Sequence, residues 1–514
     1  MKIKSLKIKN FRSYEEEVVI DFDDLTVLVG KNDIGKSTIL EALDIFFNDG
    51  KGTIKIDKSD VNVHALSNGD NESVISICFS DLPESVIIDS DVHTTLESEY
   101  MLNSDNLLEV IKKYKGGGKA SVFIRAKHPT NTECEELLIK KNSELKRIIK
   151  DNKIECDNCN INSIMRKAIW RHFEDNLDLE DIDIDITKED AKKIWEKLSV
   201  YMPVYSLFQS DRKNSDGDNE VQDPLKEAVK QIIRTEEIKK SLAEVAKTVE
   251  DKLKEVSART LDKLKEMDSD IATSLNPVIP KADELKWYDV FKAVSISGDD
   301  HIAINKRGSG VRRLILLNFF RAEAERRAEE GDNTGIIYAI EEPETSQHFN
   351  NQRILIDALK KLAEGDNTQI VLTTHSPVIV KELAFENLRL IYEDKNGKYI
   401  KSVEPSVLQY PSLNEVNYVA YGEATTEYHD ELYGFLEFHQ WVQGYKDGKK
   451  QVSYIKDGKS QSKTINLTKT EYIRHQIHHP ENTKNPPFTR KDLKDSIDNM
   501  RTYIRQRAVK EGIF

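Results

Sequence analysis

The opening of the chain shows two successive hydrophobic patterns. Apolar and basic residues alternate through MKIKSLKIKNFRSY at the period of a strand. A short continuous apolar run, DLTVLVG, follows and suits a buried strand. Two similar runs, GIIYAIEE and QIVLTTH, occur far downstream. We therefore predict buried strands on both sides of a long intervening segment.

Helical patterns lie between and beyond these strands. STILEALDIFF and, near the C-terminus, YGEATTEYHDELYGFL both have helical periodicity. Asp223-Pro224 is a good helix start, with a capping residue and a first-turn proline. The pattern after it predicts a helix of about 45 residues. Its apolar stripe recurs at steps of 4, 3, 4, 4 and 3 through Ile238, Leu242, Val245, Val249, Leu253 and Val256.

The composition is that of a charge-rich globular protein of two or three domains. The chain has 514 residues, of which 38% are apolar and 32% are charged. Its four cysteines exclude a disulfide framework and favour a reducing, cytoplasmic location. No apolar run approaches the roughly 20 residues needed to cross a bilayer, so no membrane association is expected.

Charge is distributed unevenly along the chain. The net charge is −14, yet residues 444–514 contain 16 Lys and Arg against 8 Asp and Glu, a local net charge of +8. The rest of the chain therefore carries −22. A basic tail on an acidic body suits contact with a polyanion such as RNA or DNA. A solvated surface without a partner is the alternative.

A glycine-rich loop joins the first apolar run to the first helix. In GKNDIGKST, the residues Gly30, Gly35, Lys36 and Ser37 have the spacing of a phosphate-binding loop. The glycines let backbone N–H groups surround phosphates, the lysine reaches the outer phosphates, and the serine hydroxyl coordinates Mg²⁺. With Thr38 as a further candidate nucleotide ligand, the loop predicts a site for ATP and Mg²⁺.

The loop and the opening strand together resemble the head domains of ABC-type ATPases of the SMC, RecF and OLD group. The resemblance rests on GxNxxGKS and on MxIxxLxIxNFRSY. It implies an α/β fold, a P-loop NTPase head with a helical or coiled-coil insertion and a mainly helical C-terminal domain. It also implies that Asn32 and Arg12 approach the nucleotide.

The same resemblance implies roles for residues far downstream. In GIIYAIEEPETSQH, Glu341 would orient the Mg²⁺ shell and Glu342 would polarise the attacking water. His375, which ends QIVLTTH, matches the switch histidine that senses the γ-phosphate. In NKRGSGVRRL, Ser309 and Gly310 match the signature loop that closes on a second subunit's ATP. A homodimer or a larger homo-oligomer is therefore expected.

One element of the group's pattern is missing. Its members usually have a glutamine between the phosphate loop and the insertion, but the first glutamine of this chain is Gln209. Asp60, in DKSDVNV, is the weak substitute that the sequence offers. The Mg²⁺ contact of that loop is therefore left open.

These assignments divide the chain into four parts. Residues 1–90 and 286–400 are the lobes of the head, residues 91–285 a helical insertion, and residues 401–514 a helical effector or docking domain. Within the insertion, Cys156 and Cys159 lie between two helix-like segments. This placement is similar to the zinc hook that joins two protomers of related ATPases. Two ordinary cysteines near a turn are the alternative.

Histidines are concentrated near the C-terminus, in EYIRHQIHHPEN. Arg474 and His479 fit the R-x4-H signature of HEPN ribonucleases, which implies metal-free cleavage of RNA, with Glu427 as an acidic candidate on a preceding helix. The alternatives are a docking element and a metal site formed by His475, His478 and His479, whose side chains point in different directions on one helix. No DxD motif follows the switch histidine, so a TOPRIM nuclease is not expected.

Three functions are consistent with these patterns. The first is a cytoplasmic ATPase of bacterial antiphage defence, whose ATP-dependent dimer controls a nuclease effector such as its own HEPN-like ribonuclease acting on tRNA. The second is an ATPase sensor or scaffold that holds a separate nuclease or toxin subunit. The third is a RecF-like ATPase of DNA repair.

Overall fold

The computed structural model describes most of the chain. The described residues are 1–49, 52, 54–88, 92–187, 191–209, 233, 236–267, 335–345, 349–394, 397–403, 412–457 and 462–513. The chain divides into two compact units. One comprises Met1–Ser210, Arg327–Glu344 and His348–Phe514, and the other comprises Asp211–Arg326 and Thr345–Gln347.

Strands dominate the first unit up to the C-terminal region. In chain order they are β1 (Lys2–Lys9), β2 (Val18–Asp21), β3 (Leu25–Val29), β4 (Glu72–Ser80), β5 (Leu108–Lys115), β6 (Ser121–Pro129), β7 (Leu179–Asp185), β8 (Val204–Phe208), β9 (Ile336–Glu341), β10 (Thr368–Thr374), β11 (Leu388–Asp394), β12 (Gly397–Ser402), β13 (Gln451–Lys456) and β14 (Lys463–Thr468).

Helices are spread along the whole described chain. In chain order they are α1 (Lys36–Asn48), α2 (Val63–Ser67), α3 (Asn142–Asp151), α4 (Asn162–His172), α5 (Ala191–Leu198), α6 (Glu236–Met267), α7 (Phe349–Ala363), α8 (Pro377–Lys381), α9 (Leu413–Tyr421), α10 (Thr426–Phe438), α11 (Val442–Lys446), α12 (Lys469–His478) and α13 (Arg490–Glu511).

The first sheet is antiparallel, with the strand order β2–β1–β4–β5–β6–β7. The strand predicted from the alternating N-terminus is confirmed as β1. Its Leu6 pairs with Ile20 on one side and Ile77 on the other. All three side chains are fully buried, because an alternating strand turns its apolar positions to one face.

The second sheet has the strand order β12–β11–β3–β10–β9–β8 and is parallel from β11 to β8. Its edge strand β12 pairs antiparallel with β11. The strands predicted from the three continuous apolar runs are confirmed as β3, β9 and β10, and β3 and β10 are buried along their whole length. Parallel strands run in one direction, so the carboxyl ends of β3, β10, β9 and β8 share one edge of the sheet. The predicted α/β fold class is confirmed.

One hydrophobic core joins the two sheets and the first helix. It includes Leu6 and Ile77 from the first sheet, Leu28 and Val371 from the second, and Leu43 from α1. All five are fully buried. Because α1 packs its apolar face into this core, the loop that precedes the helix is held at the carboxyl edge of the second sheet.

Part of the range predicted as a helical insertion, residues 91–285, is a sheet instead. Strands β5, β6 and β7 extend the first sheet beyond β4. The lysines of LEVIKKYK obscure its strand pattern, and Lys112 is itself buried, with its ammonium group bonded to the carbonyl of Phe46. The helices predicted on either side of the two cysteines are confirmed as α3 and α4.

The second unit contains the long helix α6. Its 32 residues confirm a helix in the predicted place, while the predicted start at Asp223-Pro224 lies outside the described residues. The apolar stripe is largely solvent-exposed, at Ile238, Val245, Val249, Leu253 and Val256.

The C-terminal region is a helical bundle with one hairpin, β13–β14. The helix predicted from YGEATTEYHDELYGFL, residues 421–436, is confirmed as α10, and the histidine-rich segment lies on α12. The bundle core contains Leu432 and Leu436 of α10, Ile473 of α12, and Ile497 and Met500 of α13. Among the described helices of the whole chain, none is long and apolar enough to span a membrane.

A buried polar chain crosses this bundle. His429 Nε2 lies 3.0 Å from Ser496 Oγ, Ser496 Oγ donates to Thr470 Oγ1 at 2.8 Å, and Thr470 Oγ1 lies 2.9 Å from Tyr445 Oη. Burial lowers the pKa of His429 to about 4, and the positive charges of Arg474 and His478 act in the same direction.

Acidification is expected to destabilise this bundle through His429. The pKa of His429 is lower in the folded chain than its ordinary value of 6.5, so below pH 6.5 the unfolded chain binds the extra proton. Stability is therefore complete above pH 6.5 and falls as the pH drops towards 4. Between pH 7 and pH 5 the loss is about 2 kcal/mol, because the slope approaches about 1.4 kcal/mol per pH unit below pH 6.5.

Urea unfolding of the parent and of His429→Gln at pH 7 and pH 5 measures this effect. Glutamine retains a polar group for Ser496 but does not titrate, so its free energy of unfolding should fall less between the two pH values. Other groups that titrate between these pH values affect both proteins alike, so their contributions to the free energy of unfolding cancel in the comparison. An equal fall in both proteins would show that His429 is not the source.

Candidate active site

The predicted site residues gather at the carboxyl edge of the second sheet. Gly30 follows β3, Glu341 ends β9, His375 follows β10, and Gln209 follows β8. In open α/β sheets, ligands bind outside the carboxyl ends of parallel strands. The fold thus brings together residues that lie more than 300 positions apart in the chain.

The loop between β3 and α1 needs glycine at both ends. Gly30 has φ +154°, and a Cβ there would lie 2.7 Å from the carbonyl oxygen of Ile391. Gly35 has φ +109°, and a Cβ there would lie 2.9 Å from Tyr14 Oη. A side chain at either position would displace the loop from the neighbouring strand or from Tyr14. The tight loop leaves the N-terminus of α1 open towards the site.

Lys36 lies at the mouth of this loop and is buried. Its Nζ donates to the carbonyl oxygens of Gly30 at 2.9 Å and Lys31 at 2.8 Å. Burial lowers the pKa of Lys36, while the carboxylates of Glu342 and Glu344 oppose that shift. The ammonium group is therefore a cation largely removed from water, and a desolvated cation attracts phosphate strongly.

Ser37 and Glu341 touch each other across the site. The Ser37 hydroxyl donates to the Glu341 carboxylate, so one oxygen from α1 and one from β9 meet at this point. Such oxygen donors suit Mg²⁺, which is usually held by one or two protein groups together with phosphate and water. Within the described ranges no group of three or more His, Cys, Asp or Glu residues could hold a metal. Thr38 follows in the first turn of α1 and is half-buried.

Glu342 and His375 form the next pair along the edge. His375 Nδ1 lies 3.2 Å from Glu342 Oε1. The Glu342 backbone has φ +41°, a strained conformation for glutamate. It is held by the Glu342 N–H, which is 3.1 Å from both the carbonyl oxygen and Oγ1 of Thr373. Both side chains of the pair are partly exposed, so the carboxylate can reach water at this edge.

A third carboxylate, Glu344, organises the loop after β10. It is 4% exposed, and its Oε1 accepts from Thr374 Oγ1 at 2.7 Å and from the His375 N–H at 2.9 Å. Its Oε2 is buried and has no partner among the residues that the structure describes. The sequence analysis did not single out this residue, although EEPE offers a third carboxylate directly after the strand.

Gln209 also belongs to this edge and was set aside in the sequence analysis. Its Nε2 donates to Glu41 Oε1 at 3.0 Å, which ties the end of β8 to α1. Its Oε1 is buried without a partner in the described part of the chain. The sequence does not reveal that Gln209 lies at the site, because β4 to β7 lie between it and the phosphate loop along the chain.

The remaining predicted residues divide into three cases. Arg12 pairs with Glu41 of α1, and its Nε lies 2.7 Å from Asp60 Oδ1. Asp60 is therefore bonded to Arg12. Asn32 is exposed in the loop. Ser309 and Gly310 lie outside the described residues.

The C-terminal candidates Arg474 and His479 face different neighbours. Arg474 makes two bonds to Glu437, at 2.5 and 2.9 Å, and lies over the Tyr433 ring of α10. His479 lies 3.1 Å from Glu481. Residues five apart on a helix point about 140° apart, whereas residues four apart share a face.

His478 shares the face of Arg474. Its Nε2 lies 3.2 Å from Asp430 Oδ2 of α10, and His475 stacks on Tyr454 of the hairpin instead. Glu427, the proposed acidic partner, is exposed at the start of α10. The chain therefore places Arg474 and His478 together against α10.

The two cysteines of the CxxC segment lie between α3 and α4. Both are half-buried free thiols. Burial raises the pKa of Cys156, and a hydrogen bond with Cys159 raises it further. Zinc binding between two chains remains a prediction.

Comparisons with known proteins identify a family and two relatives. The AAA_15 family model, described as AAA ATPase domain, matches residues 1–380. The chain is 25% identical to Endonuclease GajA of Bacillus cereus (strain VD045) over 409 residues, which cover 78% of this chain and 60% of that protein. It is 26% identical to the OLD nuclease of Thermus scotoductus (strain ATCC 700910 / SA-01) over 185 residues, which cover 35% of this chain and 32% of that protein. The chain thus spans under two thirds of the length of either relative.

Structural comparison also aligns solved SMC head domains with this chain. The SMC head domain from Thermotoga maritima gives a TM-score of 0.32 at 12% identity, covering 79% of this chain and 100% of that one. The Pyrococcus furiosus Smc head with an extended coiled coil, bound to the C-terminal domain of ScpA, gives 0.38 at 13% identity, covering 81% and 98%. TM-scores this low do not bear on function.

Proposed function

Because this chain belongs to the AAA_15 family of AAA ATPase domains, we propose that it binds Mg-ATP, hydrolyses it, and uses this cycle to control a nuclease. The observation that supports the proposal most strongly is the convergence of the strand ends. Lys36, the Ser37–Glu341 pair and the Glu342–His375 pair all lie along one edge of one sheet.

The proposed chemistry follows from these positions. The loop N–H groups and the N-terminus of α1 would receive the phosphates, and Lys36 would turn its ammonium group from the loop carbonyls to the outer phosphates. Ser37 and Glu341 would hold Mg²⁺, which neutralises phosphate charge when bound. Glu342 would orient and polarise the attacking water, and His375 would contact the γ-phosphate.

Gln209 is our candidate for the glutamine that the family pattern requires. Its Oε1 at the end of β8, which has no partner within the described ranges, can accept a hydrogen bond from the attacking water or from a water on the metal. Arg12 is held by Glu41 and Asp60, and its remaining guanidinium N–H groups would approach the nucleotide.

A homodimer or larger homo-oligomer is the assembly that we propose. In it, Ser309 and Gly310 of one chain would close on the ATP of another, as the family resemblance implies. The names of the two relatives, an OLD nuclease and an endonuclease, support a nuclease as the controlled activity. The same resemblance suggests a role in bacterial antiphage defence.

The controlled nuclease has two candidate locations. One is the C-terminal bundle itself, as a HEPN-like ribonuclease that uses Arg474 and His479, with the basic tail contacting the RNA backbone. The other is a separate nuclease or toxin subunit docked on this chain. The two-bond ion pair of Arg474 with Glu437 favours the second, because it neutralises the cation that RNA cleavage needs.

Incubating the purified chain with labelled tRNA, with and without ATP, separates these candidates. If the bundle is the ribonuclease, the parent should cut RNA even in EDTA once the ATP-bound dimer has formed, and Arg474→Ala should abolish cutting. ATP hydrolysis should stay within about twofold of the parent, because the bundle site lies apart from the strand ends.

His478→Ala and His479→Ala form a matched pair in this assay. Loss of cutting in the His479 variant alone would support the R-x4-H assignment, and loss in the His478 variant alone would assign the base to the face of Arg474. A parent that hydrolyses ATP but leaves RNA intact would assign the bundle to partner docking.

A further inference from the structure

Helix α9 connects the edge of the ATP site to the C-terminal bundle. Its last residue, Tyr421, donates from Oη to the carbonyl oxygen of Thr374 at 3.2 Å. Thr374 ends β10 directly before His375. Burial raises the pKa of Tyr421, and the charge of Glu344 adds to the effect. The phenol therefore stays protonated and acts as a permanent donor.

Thr374 is held from two sides. Its side-chain hydroxyl donates to Glu344, the buried carboxylate that also accepts the His375 N–H. Its carbonyl accepts from Tyr421, which comes from a separate region of the sequence. A movement of the backbone at Thr374 and His375 therefore changes the bonds to Glu344, the bond to Tyr421, or the position of α9.

Helix α9 is also fixed to the bundle, through residues that precede Tyr421. Tyr418 Oη donates to Asp498 Oδ1 of α13 at 2.6 Å, and its ring packs against Tyr428 of α10 at a centroid distance of 5.4 Å. Arg501 of α13 lies over the Tyr418 ring and 3.5 Å from Glu415 at the start of α9. Because α9 has only nine residues and is anchored by these contacts, we expect it to move together with the bundle.

We propose that Tyr421 is a positioning residue for His375, and that α9 transmits the γ-phosphate state of the site to helices α10 and α13. The proposal rests on the proposed ATPase function and adds its regulatory output. The path is contiguous: Glu342 and His375, then Thr374, Tyr421 and α9, then the bundle.

The physical basis is the short range of the bonds in this path. A hydrogen bond weakens steeply once its heavy atoms separate beyond about 3.5 Å. In the Tyr421–Thr374 bond, the two oxygen atoms lie 3.2 Å apart. A backbone shift of well under 1 Å at His375 therefore either breaks this bond or displaces α9. Packed interfaces convert such shifts into discrete rearrangements.

Tyr421→Phe tests the proposal, because it removes one hydroxyl and keeps the ring. Tyr445→Phe is the matched control, since it removes a buried hydroxyl from the bundle, where its partner is Thr470. We expect Tyr421→Phe to lower kcat for ATP about fivefold, the effect of one hydrogen bond, with KM unchanged. Tyr445→Phe should leave both constants unchanged.

Hydrogen exchange supplies a readout that a purely structural role would not change. In a Glu342→Gln background, ATP should slow amide exchange in residues 413–421 and 426–438. Adding Tyr421→Phe should abolish this ATP-dependent difference, whereas adding Tyr445→Phe should preserve it. A simple loss of stability would raise exchange equally with and without ATP.

The possible outcomes distinguish the proposed coupling from the proposed ATPase function on which it rests. An ATP-dependent difference that persists in Tyr421→Phe, or a kcat that falls equally in Tyr445→Phe, would overturn the coupling alone. A parent chain that binds no ATP would overturn both the coupling and the proposed ATPase function.

Discussion

Lys36→Ala is expected to lower the affinity for ATP by about 100-fold or more. The substitution removes a buried cation at the mouth of the phosphate loop. Hydrogen bonds to charged groups each contribute about 1.5–3 kcal/mol, and 1.4 kcal/mol is tenfold in affinity. Two bonds to the outer phosphates therefore account for a 100-fold loss. Titration calorimetry with Mg-ATP measures it directly.

Lys31→Ala is the matched control, because Lys31 lies in the same loop but is exposed. An exposed cation is screened by solvent and contributes little, so this variant should bind ATP within a fewfold of the parent. Equal affinities for Lys36→Ala and the parent would show that the loop does not bind phosphate in the expected way.

Glu342→Gln should lower ATP hydrolysis by about 1,000-fold while ATP binding persists. Positioned proton-accepting groups contribute about 10²–10⁴-fold to rates, and an amide cannot polarise water as a carboxylate does. The amide oxygen can still accept a hydrogen bond from His375, so the loop around it should be preserved. Phosphate release and nucleotide binding, measured on the same preparation, separate the two effects.

The same variant should accumulate an ATP-bound dimer, which sedimentation velocity detects. Glu364→Gln, an exposed glutamate after α7, is the control and should behave like the parent. Unaltered turnover in Glu342→Gln would mean that another group activates the water.

The parts of the fold that local sequence patterns encode were predictable. The phosphate loop and its flanking strand and helix lie within 25 consecutive residues, from Leu25 to Asn48, so their spacing alone identifies them. The apolar runs that became β9 and β10 are similarly local. The resemblance to the OLD, RecF and SMC group is confirmed by the family match and the two relatives.

The parts that depend on sheet order were not predictable. Gln209 reaches the site only because β8 pairs in parallel with β9, a long-range pairing that local patterns do not encode. Tyr421 contacts Thr374 only because α9 packs beside the head. The pattern of strand β5 was obscured by Lys112 and Lys113, whose ammonium groups pair with Asp49 and Asp183.

The C-terminal prediction shows the limit of spacing motifs. Two residues with the R-x4-H spacing lie about 140° apart around a helix. The spacing does not identify the neighbouring group that either side chain contacts. Here α10 supplies Glu437 to Arg474 and Asp430 to His478. The neighbouring helix thus decides which side chains act together.

Phosphate release from Mg-ATP by the purified chain measures whether the edge of the second sheet is an ATPase site. We expect steady turnover in the parent with Mg²⁺, none in EDTA, and none in the Lys36→Ala/Glu342→Gln double variant. Release by the folded double variant at the parent's rate, or neither ATP binding nor turnover in the folded parent, would contradict this assignment.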